Sequence, residues 1–156
     1  MTSLRRPILP RLITMLAVLA GVVAGPALAQ AIEFRSLTEQ AILYDTPSEQ
    51  GKRLFILRSG TPVEIVVRLD KWVKVREPGG SLNWLEGRVL SNRRTVLVAA
   101  DRAVIRREAR DDAAPSFEAV RNVVLDLVEP PSLGWAKVRH RDGEEGYIRI
   151  NEVWGL

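Results

Sequence analysis

The sequence lacks cysteine entirely and contains one histidine among its 156 residues. The absence of cysteine excludes disulfides, thiol nucleophiles and zinc–thiolate sites. Long apolar runs are also missing, because the longest is a stretch of thirteen residues, Leu12–Ala24, and a helical membrane span needs roughly 20. What remains, with 46% apolar and 27% charged residues, is the composition of an ordinary globular protein.

The net charge of +4 is concentrated at the N-terminus. Of the 23 basic residues, Arg5, Arg6 and Arg11 lie in the first 29 positions, where there is no acidic residue, so the remainder carries 20 basic and 19 acidic side chains. A nearly neutral body gives no electrostatic reason to expect a nucleic-acid partner.

The first 29 residues have the three parts of an export signal. The basic start is followed by the apolar run, and Ala27-Leu28-Ala29 places small side chains where a signal peptidase cleaves. We expect cleavage after Ala29 and a mature protein in the periplasm of a Gram-negative cell, with no stable membrane span. The alternative is retention of the segment as an uncleaved anchor.

The rest of the chain contains an internal duplication. The segment Trp72–Arg76 (WVKVR) recurs as Trp135–Arg139 (WAKVR), at an offset of 63 residues. Three further anchors keep an offset of 62 or 63: Ala41–Leu43 with Ala103–Ile105, Trp84-Leu85 with Tyr147-Ile148, and Leu90 with Val153. We interpret residues 30–93 and 94–156 as two copies of one unit.

Each copy is predicted to be β-structure. Residues 63–67 and 123–128 are rich in β-branched side chains, which favour strands. Asp142-Gly143 and Pro78-Gly79-Gly80 are typical of tight turns. Residues 113–121 favour a helix locally, but their counterpart at residues 54–57 is β-like, so we predict a strand in both. Short strands with a turn every eight to twelve residues predict a small barrel or sandwich.

Copies of about 60 residues are near the lower limit for independent folding. No Gly/Ser-rich linker separates them, and no disulfide is available. We therefore predict that the two copies share an interface, and that Trp154 pins the C-terminal strand near it.

The residues of the second copy resemble a known family. Gly134–Arg139, the Asp142-Gly143 turn, Gly146–Ile148 and Val153 resemble the C-terminal half of bacterial Src-homology-3-like (SH3b) domains. Residues 72–90 resemble the same half, with Asn83 at the position of a usual glycine. The resemblance implies an all-β fold of two small SH3-like β-barrels in tandem after the cleaved signal peptide.

The same resemblance implies a binding function. SH3b domains of the cell envelope are implicated in binding peptidoglycan or peptides, and these are the partners we expect. Recognition of a polyproline helix is disfavoured, because Val89 and Glu152 occupy the position where eukaryotic relatives carry a groove tyrosine.

Catalytic chemistry has few candidates. His140 lies between Arg139 and Arg141 before a turn, with no nucleophile at a nearby position, and the acidic pairs Asp111-Asp112 and Glu144-Glu145 fit solvated turns. We expect no enzyme activity, no catalytic residue, no metal and no cofactor. A hydrolase dependent on His140 is the alternative.

The aromatic residues are the main candidates for ligand binding. Trp72 and Trp135 each open a strand, and we expect half-buried indoles at a barrel rim, whereas Trp84 and Tyr147 should face away from Leu85 and Ile148. Core packing of these aromatics is the competing interpretation. The predicted ligand-binding residues, with one arginine per copy to hold a carboxylate, are Trp72, Arg76, Trp84, Trp135, Arg139 and Tyr147.

Charge is distributed unevenly between the copies. Residues 30–95 carry 11 basic and 8 acidic side chains, and the remainder carries 9 and 11. Opposite charges can help the copies dock. Alternatively, the first copy faces an anionic polymer through Lys52-Arg53 and Arg93-Arg94. A further alternative for the whole chain is a structural docking subunit of an envelope complex, which would expose a contiguous apolar surface.

Overall fold

The computed structural model describes residues 32–156. The predicted signal peptide lies outside these residues. No helix in the described range is long and apolar enough to cross a membrane.

The first copy forms one antiparallel sheet of seven strands. Its strands are β1 (Glu33–Leu37), β2 (Ala41–Tyr44), β3 (Arg53–Leu57), β4 (Pro62–Leu69), β5 (Trp72–Arg76), β6 (Leu82–Glu86) and β7 (Leu90–Ser91). A 3₁₀ turn at Gly87–Val89 separates the last two. The spatial order is β3-β2-β6-β5-β4-β1-β7.

The second copy repeats this arrangement. Its strands are β8 (Thr95–Val98), β9 (Arg102–Arg106), β10 (Pro115–Val120), β11 (Val124–Leu127), β12 (Trp135–Arg139), β13 (Glu145–Arg149) and β14 (Val153–Trp154). A 3₁₀ turn at Ile150–Glu152 precedes β14, and the order β10-β9-β13-β12-β11-β8-β14 matches the first sheet strand for strand. The predicted duplication and all-β fold are confirmed.

Two local predictions are confirmed: the tight turns, and the strand predicted at residues 113–121 despite a local helical preference. Gly80 and Gly143 have φ angles of 92° and 98° in the β5–β6 and β12–β13 turns, where a glycine has no steric penalty. Residues 115–120 form strand β10, antiparallel to β9. Pairing with a neighbouring strand therefore overrides the local helical preference.

Each copy has its own apolar core, built from the inward side of alternating strand positions. Equivalent residues occupy equivalent places: Leu43 and Ile105 are fully buried, and so are Leu85 and Ile148. Trp84 and Tyr147, one position earlier, are half-buried, so the predicted alternation is confirmed.

The two copies meet at an interface, as predicted, and its centre is a hydroxyl pair. Ser36 and Thr95 are each 2% exposed, and their side-chain oxygens lie 2.7 Å apart. The Thr95 hydroxyl donates to the Gly60 carbonyl at 2.6 Å, so the Ser36 hydroxyl must donate to Thr95. The Thr95 amide donates back to Ser36 Oγ at 3.0 Å. Buried hydroxyls are thus satisfied only when both copies are in place.

Aromatic and cationic side chains flank this pair. Phe34 and Trp154 pack edge to face with ring centroids 4.9 Å apart, which confirms the predicted position of Trp154 at the junction. The Arg94 guanidinium lies 6.0 Å from the Phe34 ring and donates to the Gly155 carbonyl at 2.9 Å. Burial, followed by the positive charge of Arg35, lowers the pKa of Arg94. Arg94 is therefore part of the interface.

Candidate functional site

Trp72 lies at the start of β5 and is buried, with only 4% of its surface exposed. The Tyr44 ring packs against it edge to face, with centroids 5.2 Å apart, and Tyr44 is itself buried. The expectation of a half-buried indole at a barrel rim is therefore wrong for Trp72. Its ring faces are used in packing and offer no stacking surface to a ligand.

Trp135, the equivalent residue of the second copy, is 6% exposed and is covered differently. The Arg149 guanidinium lies 4.1 Å from the centre of its ring, a cation–π contact. Arg149 is held there by both carboxylate oxygens of Asp111. This hydrogen-bonded ion pair lowers the pKa of Asp111 and raises that of Arg149. The rim expectation is wrong here too, because a charged side chain caps the indole.

Trp84 and Tyr147 are half-buried on the outer faces of their sheets. Lys74 Nζ lies 5.7 Å from the Trp84 ring centre, and Tyr147 pairs in register with Lys137 and Arg106. These two aromatics remain accessible in part, and their predicted role in binding stays a prediction.

The two predicted carboxylate-binding arginines already have internal carboxylates. Arg76 Nε donates to Glu64 at 3.0 Å, and Arg139 Nε donates to Glu145 at 2.6 Å. Each also lies four residues along a strand from its tryptophan, about 13 Å at the Cα atoms. The structure does not bring the arginine and the indole of either copy together into one groove.

A large concavity is found instead between the two copies. It is a cleft with a volume of about 1030 Å³, at the upper end of the size typical of ligand sites, about 300–1,000 Å³. The first copy contributes residues 56–61, from the end of β3 to the start of β4, and residues 77–79 of the β5–β6 turn. The second contributes residues 122–124, at the start of β11, and residues 139–141, at the end of β12.

The cleft has apolar and cationic parts. Ile56, Leu97 and Val124 supply apolar wall, while Arg58, Arg139, His140 and Arg141 bring positive or titratable groups. Of the six residues predicted to bind ligand, only Arg139 lines it. The cleft was not predicted, because it is assembled from loops of both copies and no single motif marks it.

Most charges at the cleft are compensated within the protein. The Arg93 guanidinium donates a bidentate pair of hydrogen bonds to the two carboxylate oxygens of Asp126, at 2.9 and 2.5 Å. The buried Glu77 carboxylate accepts the Gly79 and Ser81 amides at 2.5 and 2.9 Å. Arg58 and Arg141, both exposed, take part in none of the ion pairs of residues 32–156. They are the free cations of this cleft.

His140 contacts an acidic side chain and an aromatic ring. Its Nδ1 lies 2.7 Å from Asp142 Oδ2, and its ring packs at 5.9 Å from Phe117. The Glu144 backbone amide and then the imidazole lower the pKa of Asp142. In the described part of the chain, no group of three His, Asp or Glu side chains is placed to hold a metal ion.

The four basic residues considered as contacts for an anionic polymer divide into two pairs. Arg93 and Arg94 are engaged at the junction, and Arg93–Asp126 is the one ion pair that joins the two copies within residues 32–156. These two arginines are therefore not free contacts for a polymer. Lys52 and Arg53 are exposed on the first copy.

These two matching sheets, each with a short 3₁₀ turn before its last strand, define a tandem pair of SH3-like β-modules. The chain belongs to the bacterial SH3 domain family, which it matches twice, at residues 38–92 and 99–155. Strands β1 and β8 precede the two matched ranges. They are the strands that carry Ser36 and Thr95, so the hydroxyl pair of the interface lies outside the family pattern.

Solved structures to which the chain was matched include NlpC2 from Trichomonas vaginalis, at 17% sequence identity and a TM-score of 0.38. The alignment covers 81% of this chain and 49% of that one. An NlpC/P60 family protein from Bacillus cereus shares 16% identity with a TM-score of 0.37, covering 80% and 56%. The chain thus spans about half the length of these proteins. A comparison with curated proteins gave no match.

Proposed function

We propose that this protein is a non-enzymatic binding or scaffolding protein of the periplasm that recognises peptidoglycan or an envelope peptide. We further propose that the ligand binds in the cleft between the two SH3-like copies. The observation that carries this proposal is the position of the cleft, which is open, large and lined by both copies.

Because both tryptophans are covered, the cleft is a better candidate for the ligand site than a groove at Trp72 or Trp135. An aromatic platform works by offering a ring face, and Trp72 and Trp135 are 4% and 6% exposed. Uncovering Trp72 would require Tyr44 to leave a buried position, and uncovering Trp135 would require the Arg149–Asp111 pair to break. The cleft needs neither rearrangement.

The lining of the cleft suits a peptide-like ligand. Apolar wall from Ile56 and Val124 can cover side chains, and the arginines can hold anionic groups. Stem peptides of peptidoglycan combine methyl groups with free carboxylates, so both parts of the lining have a counterpart in such a ligand.

A sedimentation assay with purified, insoluble peptidoglycan tests the proposal. Ile56→Trp places a large side chain into the cleft from a position that is 62% exposed, so folding should be little affected. The matched control is Val120→Trp, which is 55% exposed on the edge strand of the other copy and does not line the cleft. We expect Ile56→Trp to lose most of its retention and Val120→Trp to sediment like the wild type. Equal retention of both variants would contradict the cleft proposal.

A docking subunit is the second candidate function, and edge strand β3 favours it. Leu54, Phe55 and Ile56 are exposed in succession, at 39%, 41% and 62%, on a strand that is paired on one side only. Such a strand can accept an extended segment of another protein. A stable envelope partner that is lost on Phe55→Lys but kept on Val120→Lys, without retention by peptidoglycan, would establish this function instead.

A further inference from the structure

Two arginines from different copies face the same cleft without an internal partner. Arg58 follows strand β3 of the first copy, and Arg141 follows strand β12 of the second. The other charged groups of the lining have hydrogen-bond partners within the protein. Arg93 donates to Asp126, Arg139 donates to Glu145, and Glu77 accepts from two backbone amides. His140 contacts Asp142.

Apolar side chains lie in the same cleft as these charges. Ile56, Leu97 and Val124 line it, and low-dielectric walls concentrate the field of the charges that line a cleft. A guanidinium presents paired N–H donors that match the two oxygens of a carboxylate. Two such groups with no internal acceptor are suited to hold an anion.

We infer that the cleft binds a carboxylate of the ligand through Arg58 and Arg141, so that the two SH3-like copies form one binding site rather than two. This inference rests on the proposed function, because peptides and peptidoglycan stems carry carboxylates as their anionic groups. It also assigns a use to the interface: the Ser36–Thr95 hydrogen bonds join the two copies, and each copy contributes one of the two arginines to the cleft.

Calorimetric titration of the full mature protein tests this site with three soluble probes. The first is a muropeptide with free carboxylates on its stem, the second is the same muropeptide with those carboxylates amidated, and the third is the free stem peptide without sugar. Comparing the first two probes measures the contribution of the carboxylates to binding. Comparing the first with the third shows whether the sugar contributes, and so whether the natural ligand is peptidoglycan or a free peptide.

The protein variants are Arg58→Ala and Arg141→Ala, with Arg68→Ala and Arg107→Ala as controls. The controls are also exposed arginines, one in each copy, and neither lines the cleft. A charge-assisted hydrogen bond contributes about 1.5–3 kcal/mol, so each cleft substitution should weaken muropeptide binding about tenfold or more. Each control should change it less than about twofold, and amidation should weaken wild-type binding like the cleft substitutions.

The outcomes separate the inference from the proposed function. Tight binding of the muropeptide that is insensitive to amidation, or equally reduced by all four substitutions, would overturn the two-arginine site and leave the binding function standing. No binding of the muropeptide or of the stem peptide to the wild type would overturn both. Equal affinity for the stem peptide with and without sugar, lost on amidation, supports the site with a free peptide as its source.

Discussion

The two copies have the same strand order but protect their equivalent tryptophans by different chemistry. In the first copy an aromatic ring, Tyr44, covers Trp72, whereas in the second a charged pair, Arg149 with Asp111, covers Trp135. The position equivalent to Arg149 in the first copy is Glu86, which cannot cap a ring electrostatically. The tryptophan is thus a structural element common to both copies, and its cover is free to vary. A site that depended on an open indole would not permit such covers in both.

The largest expected effect is a symmetric loss of stability. Leu85→Ala and Ile148→Ala remove equivalent, fully buried side chains, and each should reduce the free energy of unfolding by about 2–5 kcal/mol. Because the copies share an interface, each variant should still unfold in one transition, measured by denaturant titration. Two separate transitions would show that the copies are independent.

Truncation of Tyr44 and of Arg149, the side chains that cover the two tryptophans, should reduce stability by different amounts. Tyr44→Ala removes a buried ring and should reduce the free energy of unfolding by about 3 kcal/mol or more, whereas Arg149→Ala removes a cation–π contact of a half-buried side chain that contributes about 1 kcal/mol or less. Both variants should expose their indole, seen as faster hydrogen exchange of the Trp72 or Trp135 indole N–H. Equal stability losses would contradict the proposed difference between the covers.

Removing the hydroxyl of Thr95 tests the coupling between the copies. Thr95→Val leaves the Gly60 carbonyl and the Ser36 hydroxyl buried without their partner, at a cost of about 1–3 kcal/mol. The cost should appear as a loss of cooperativity between the copies in denaturant unfolding. The exposed Thr38→Val, which removes a hydrogen bond to Val89 within the first copy, is the control.

The smallest expected effect is on pH dependence. Hydrogen bonding to Arg149 lowers the pKa of Asp111, so the ionised carboxylate stabilises the folded state above the ordinary pKa of an aspartate. That stabilisation is lost as the pH falls through the lowered pKa, below about pH 4. The Trp135 indole should then become more accessible in acid in the wild type, whereas Asp111→Asn should show this accessibility already at neutral pH.

The fold was largely predictable because the duplication repeats the residues that matter most to it. The WVKVR and WAKVR segments are the central strands β5 and β12, and their offset is kept through the following turn and strand. Strands β1 and β8 had no such signal, because their sequences, EFRSL and TVLV, share no repeated residue pattern. The hydroxyl pair that joins them, Ser36 with Thr95, forms only where the two copies meet.

The site was predictable only in its residue types. The sequence indicates tryptophans and arginines as binding groups, but burial depends on which distant side chain folds over each ring, and Tyr44 and Arg149 give no local sign of doing so. The cleft depends on the docking of two copies, which brings Arg58 of the first copy and Arg141 of the second to one cavity. Periodicity within one copy cannot reveal a site between copies.

The most direct test of a single shared cleft is to follow backbone amide signals by nuclear magnetic resonance while a soluble muropeptide is added to the protein. Perturbed signals should cluster at residues 56–60, 122–124 and 139–141, from both copies at the same ligand concentration. Perturbations that instead centre on the surroundings of Trp72 and Trp135, each with its own affinity, would show two separate grooves and contradict the shared cleft.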